Sequence, residues 1–99
     1  MSEPLTIIVT IRAKAGQESR VRDVLRGGML GPTRAETGCI NYDLHESQDN
    51  PGVFAIYENW ASAAHIDTHL KSAHFQALAK LIPEIFAGPP EITKWQKIG

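Results

Sequence analysis

Cysteine is almost missing from this chain: Cys39 is the only one in 99 residues. An internal disulfide is therefore impossible, and so is any thiolate cage for zinc or an iron–sulfur cluster. Beside Gly38, the lone thiol reads as a small apolar residue opening a strand. No apolar run approaches the roughly 20 residues of a membrane-spanning helix, and Met1-Ser2-Glu3-Pro4 lacks the basic-then-apolar pattern of a secretory signal, so a cytoplasmic location is expected. Neither sign of charge dominates: ten basic and eleven acidic residues give a formal charge of -1, without like-charge runs. The phosphate-neutralising surface of a nucleic-acid binder is absent. Gly27-Gly28-Met29-Leu30-Gly31-Pro32 has neither the Lys-Ser/Thr of a P-loop nor a dinucleotide fingerprint, and no Gly-x-Ser-x-Gly marks a hydrolase elbow. Repeats, linkers and low-complexity tracts are missing too.

What is present is an ordinary globular composition, 42% hydrophobic and 21% charged, in a length that suits one domain over residues 1–99. Leu5 to Ala13 alternates Leu5, Ile7, Val9 and Ile11 with Thr6, Ile8, Thr10 and Arg12, the period of a strand. Val21, Val24, Leu25 and Met29 recur at helical spacing, which predicts a helix over about 17–36 with a kink or break between Gly27 and Pro32. Cys39 to Glu46 reads as a second strand, with Ile40, Tyr42 and Leu44 on one face. Ser47 to Gly52 is a turn and Val53 to Ala61 a third strand, which makes a hairpin of the two. Ser62 and Ser72 are N-cap candidates for two helices, the second bent or ended by Pro83, and Glu91 to Ile98 reads as a final strand.

This order closes most economically as a ferredoxin-like α+β domain, a four-stranded antiparallel sheet with helices on one face. The third strand is apolar on both sides, so the open sheet face should not meet water. A homodimer packed sheet to sheet would cover it.

Chemistry concentrates in the second half of the chain. His65 and His69 share a predicted helix face and His74 follows, but a zincin helix needs Glu where Ile66 stands, and no third ligand is compelling; no metal and no other cofactor are expected. Glu58 and Trp60 lie on the same strand face as Phe54 and Ile56, with His69 one short helix later. Those three groups can converge on a pocket. A carboxyl on an apolar strand face needs a partner or a raised pKa, and a histidine opposite it titrates near neutrality. The plainer alternative is that Glu58 pairs with a local cation, Trp60 fills the core and His69 satisfies a helix end.

Three segments carry a family resemblance: Arg34 to Leu44 with its Glu-x-Gly-Cys-x-x-Tyr element, Phe54 to Trp60 with Glu-x-Trp, and His69 to Phe75 with His-x-x-Ser-x-His-Phe. In this order and spacing the chain resembles the antibiotic biosynthesis monooxygenase superfamily of dimeric α+β barrels, which includes quinol monooxygenases. The resemblance implies oxygenation of a small phenol, quinol or polyketide-type aromatic by dioxygen without flavin, haem or metal. On that reading His69, Trp60 and Glu58 are the catalytic candidates, and Tyr57, Asn59, Phe75, Tyr42 and His65 are substrate-binding candidates. Tyr57 and Asn59 alternate with Glu58 and Trp60, so all four cannot face one pocket. The haem-degrading branch is disfavoured, because Ala79 stands where its histidine belongs and Leu5 to Ala13 holds no asparagine. Another branch isomerises a phosphorylated quorum-sensing signal and would need cations such as Arg12, Arg34 or Lys71 at the pocket. A dimeric binding protein without turnover is the third alternative.

Overall fold

A computed structural model describes residues 4–99; the first three residues, on which the expectation about a secretory signal rests in part, lie outside the described residues. The elements are β1 (Leu5–Arg12), α1 (Glu18–Val24), a π-helical turn (Leu25–Met29), α2 (Leu30–Arg34), β2 (Cys39–Glu46), β3 (Val53–Trp60), α3 (Ala63–Leu70), α4 (Ala73–Ile85) and β4 (Glu91–Trp95). The strands form one antiparallel sheet in the order β2-β3-β1-β4, the ferredoxin-like arrangement. Among the described residues no helix is long and apolar enough to cross a membrane.

Period-two patterning sets the central strand. Phe54, Ile56, Glu58 and Trp60 are all buried on the helix side of β3, while Val53, Ala55, Tyr57 and Asn59 look the other way. Ile7 and Ile11 of β1 continue the same buried face. On β2 the expected alternation is corrected. Cys39 pairs with Trp60 and Asn41 with Asn59, so Ile40 is the extra residue of a bulge and is 60% exposed. Beyond the bulge Tyr42 and Leu44 oppose Glu58 and Ile56. β4 is also shorter than expected, ending at Trp95 rather than Ile98, where pairing to Thr6 ends.

The expected break in the long helix takes the form of the π turn. Val21, Leu25, Met29 and Thr33 recur every four residues and all are buried. In an uninterrupted α-helix each step of four gains about 40°, which would swing Thr33 off the core. Widening the backbone to i→i+5 bonding takes that drift back and gives the ring of Pro32 room near the Gly28 carbonyl. Pro83, by contrast, does not end α4. It sits exposed in the last turn, Phe86 N still donates to Ile82 O at 2.9 Å, and the Pro83 carbonyl accepts from Lys14 Nζ at 2.6 Å. Ser72 caps α4 by accepting from Phe75 N, and Ser62 begins α3 without such a side-chain bond.

Gly38 joins α2 to β2 with φ +88°, and a Cβ there would stand 2.2 Å from Cγ of His65. The His65 ring thus seats α3 on the Gly38 turn, whose carbonyl accepts from Ala61 N at 2.8 Å. Gly16 has a similar φ of +86° but open space around it. Gly16→Ala should therefore cost about 1–2 kcal/mol from the backbone alone, and Gly38→Ala that amount plus about 1–3 kcal/mol of overpacking. Parallel urea denaturation of the two variants measures the difference.

Candidate functional site

Between the sheet and the helices lies a cavity of about 250 Å³. Its sheet side is Ile7, Val9, Ile11 and Ile56; its helix side includes Phe75, Leu78 and Ile82. An apolar cavity of about 150 Å³ accommodates benzene, so a substituted ring fits here. Against this apolar lining stand three polar side chains that reach inward from different elements: Tyr42 from β2, Glu58 from β3 and His69 from α3. Lys94 of β4 and Asp67 of α3 also border the space.

Glu58 is 5% exposed. Trp60 Nε1 donates to its Oε1 at 2.8 Å, and Oε2 has no protein partner among the described residues. Burial pushes the Glu58 carboxyl up to about 7, with a smaller push from the charge of Glu36; the indole donor opposes both. Near neutral pH this group exchanges between acid and base forms. The Tyr42 hydroxyl is driven above the ordinary phenol range by burial and then by the charges of Glu58, Cys39 and Glu36, so it stays protonated as a donor. Thr33 opposes that rise, yet its Oγ1 makes no hydrogen bond of normal geometry.

His69 is held from several sides. Its ring lies 4.9 Å from the Trp60 ring and 5.4 Å, edge-on, from Phe75. Nδ1 is 2.5 Å from Glu36 Oε2, and the same oxygen is 2.8 Å from His74 Nε2. Glu36 follows α2, where Glu36 N donates to Thr33 O and Cys39 N to Glu36 O, so the turn before β2 presents its carboxylate to the α3–α4 junction. Among the described residues these three are the group of ligating types that comes together. With metal–ligand bonds of about 2.0–2.1 Å at tetrahedral angles, ligand atoms stand about 3.3 Å apart. Both ring nitrogens lie closer than that to Glu36 Oε2, within hydrogen-bonding reach of the one carboxylate oxygen.

Of the residues expected at a site, Glu58, His69, Tyr42 and Phe75 border the cavity. Trp60 does not. It is fully buried one layer behind, supporting Glu58 and His69 rather than facing a guest, because it lies at the end of β3 against α3. Tyr57 and Asn59 project from the opposite sheet face, as strand alternation requires; Asn59 bonds there with Thr6 and Asn41. His65 is turned to Ser62 Oγ, 2.7 Å from its Nδ1, and to Gly38. Sequence reasoning misses Glu36 and His74 as site residues. Both stand in the segments that carry the resemblance, but helix periodicity alone gives no reason to join residues 33 and 38 positions from their partners.

Comparison with known proteins now decides the family. Residues 4–81 match the antibiotic biosynthesis monooxygenase family. The chain belongs to that family. A Mycobacterium tuberculosis protein named "Putative monooxygenase Rv0793" is 32% identical over 93 residues, covering 94% of this chain and 90% of its own. An Escherichia coli protein named "Probable quinol monooxygenase YgiN" is 28% identical over 87 residues, 79% of this chain and 84% of that one. Among solved structures, PA3566 of Pseudomonas aeruginosa superposes with TM-score 0.93 at 30% identity, covering 100% of this chain and 98% of that chain.

The raised Glu58 pKa has a consequence for stability. From about pH 4.5 to about 7 the folded chain binds more protons at this group than the unfolded chain, so stability falls as pH rises through that window. Above it the ionised carboxylate costs on the order of 3 kcal/mol. Glu58→Gln keeps an acceptor for Trp60 and removes that charge. Its melting temperature should exceed that of the wild type by roughly 10 °C at pH 8 and match it near pH 4.5. Thermal melts at the two pH values provide the check.

Proposed function

We propose that the cavity takes up a small electron-rich aromatic, a phenol, quinol or polyketide-type ring, and that the protein oxygenates it with dioxygen without a metal or organic cofactor. The observation that carries this reading is the convergence of Tyr42, Glu58 and His69 on an apolar space of ring size. Membership of the family and the monooxygenase names of its relatives support it.

The chemistry asks little of the protein. His69 Nε2 accepts the proton of an aromatic hydroxyl, and the resulting anion passes one electron to dioxygen. The two radicals join as a new carbon–oxygen bond; loss of water from the hydroperoxide gives the quinone. The substrate supplies all the electrons. Exclusion of water and orientation of the ring against the inward polar groups are the remaining contributions. Tyr42, as a donor, suits the substrate oxygen, and Glu58 can deliver or take the second proton.

The phosphorylated-signal isomerase is less well supported. Arg12 pairs with Glu91, Arg34 with Asp43, and Lys71 is exposed at the end of α3; none borders the cavity, and among the described residues Lys94 is the one cation that does. The same proposal includes a second copy of the chain over the open sheet face, where Tyr57 is 45% and Trp95 54% exposed.

Oxygen-electrode assays of chelator-treated protein with a panel of quinols and anthrone-like phenols should show uptake. His69→Ala should lower it by about 10²–10⁴-fold, and Trp60→Phe, which keeps an aromatic ring in the core but removes the donor to Glu58, by less. Ligands that raise the melting temperature with no oxygen consumed by any compound would favour a binding protein. Binding that depends on a phosphate group, again without uptake, would favour the isomerase.

A further inference from the structure

The Glu36–His69–His74 cluster fixes more than the position of His69. Ser72 provides the first step. Its Oγ donates to His69 O at 2.6 Å, which uses its single proton, so at 3.2 Å from His74 Nε2 it can only accept. His74 Nε2 must then carry hydrogen, shared between Ser72 Oγ and Glu36 Oε2. An ionised Glu36 is likewise an acceptor only, so His69 Nδ1 carries hydrogen as well. A neutral imidazole has one N–H. With Nδ1 protonated, the lone pair of His69 is on Nε2.

That nitrogen has somewhere to act. Nε2 of His69 has no hydrogen-bond partner among the described residues, whereas the one fully buried side-chain polar atom left without a partner there is Thr33 Oγ1. Nε2 therefore keeps accessible surface, and the space that His69 borders is the cavity. The Glu36 and His69 side chains are 13% and 6% exposed, so their bond is shielded from competing water.

We infer that Glu36 and His74 are positioning residues, a carboxylate and the donor that anchors it, which lock His69 in its Nδ1–H form so that a bare Nε2 faces the bound ring. Isolated imidazole side chains favour the opposite tautomer, and in that form the cavity would meet an N–H and no base. The catalytic meaning of this lock rests on the oxygenase reading; the tautomer itself does not.

Nitrogen-15 NMR of the histidine rings in the wild-type protein at pH 8 tests it directly. His69 should show hydrogen on Nδ1 alone and His74 on Nε2. Glu36→Ala should convert His69 largely to the Nε2–H form, with kcat lowered roughly 10- to 100-fold and KM within about twofold. Glu36→Gln, whose neutral amide oxygen can still accept from both rings but more weakly than a carboxylate, should give an intermediate tautomer ratio and an intermediate kcat. An Nε2–H or doubly protonated His69 in the wild type overturns the assignment, whether or not any variant folds. So does stoichiometric Zn²⁺ binding that removes both ring N–H signals, since the cluster would then be a metal centre. Should the tautomer hold and no aromatic be oxidised, the functional reading fails and the lock stands. Oxygenation by a wild type with Nε2–H does the opposite, ending the lock and leaving the oxygenase in place.

Discussion

One carboxyl group is buried in the middle of an apolar strand face, and much of the site follows from accommodating it. Glu58 shares its side of β3 with Phe54, Ile56 and Trp60, so hydration from that side is restricted to whatever the cavity admits. A buried carboxyl without a donor is costly. Trp60 supplies the donor and, in doing so, is itself drawn under the helices, where its ring supports His69. His69 is tied in turn to Glu36, whose charge acts back on Glu58. A single substitution in this chain of contacts is therefore felt at each of the others.

The helical layer serves the same arrangement from the opposite side. By holding Val21, Leu25, Met29 and Thr33 on one face, the π turn brings the end of α2 down at the height of the α3–α4 junction, and the next turn carries Glu36 there. Gly38 then lets the backbone reverse while the His65 ring packs against it. The two histidines that the sequence spaces four apart thus do different work: one seats a helix, the other borders the cavity.

Much of this is legible in the residues. Strand alternation locates the face of β3 that carries Glu58 and Trp60, and the spacing from Val21 to Met29 locates the helix and the region of its irregularity. Ile40 falls on the wrong face because a bulge inserts one residue without altering the alternation of letters, and only pairing to β3 reveals it. Pro83 is compatible with the helix it was expected to bend or end: a proline near a helix terminus forfeits one donor, and its own carbonyl is taken by Lys14. Trp60 does not meet a guest because alternation and proximity give face and neighbourhood but not depth. The Glu36 contacts depend on three chain segments meeting, which no local pattern encodes.

Cys39 sits close to this cluster of acids. Its own burial, followed by the negative charges of Glu58 and Glu36, lifts the thiol above its usual titration range. Thiolate, the form that attacks peroxides and disulfides, is correspondingly scarce at neutral pH. A smaller thiolate fraction makes this sulfur a slower partner for oxidants and for other thiols than an ordinary surface cysteine.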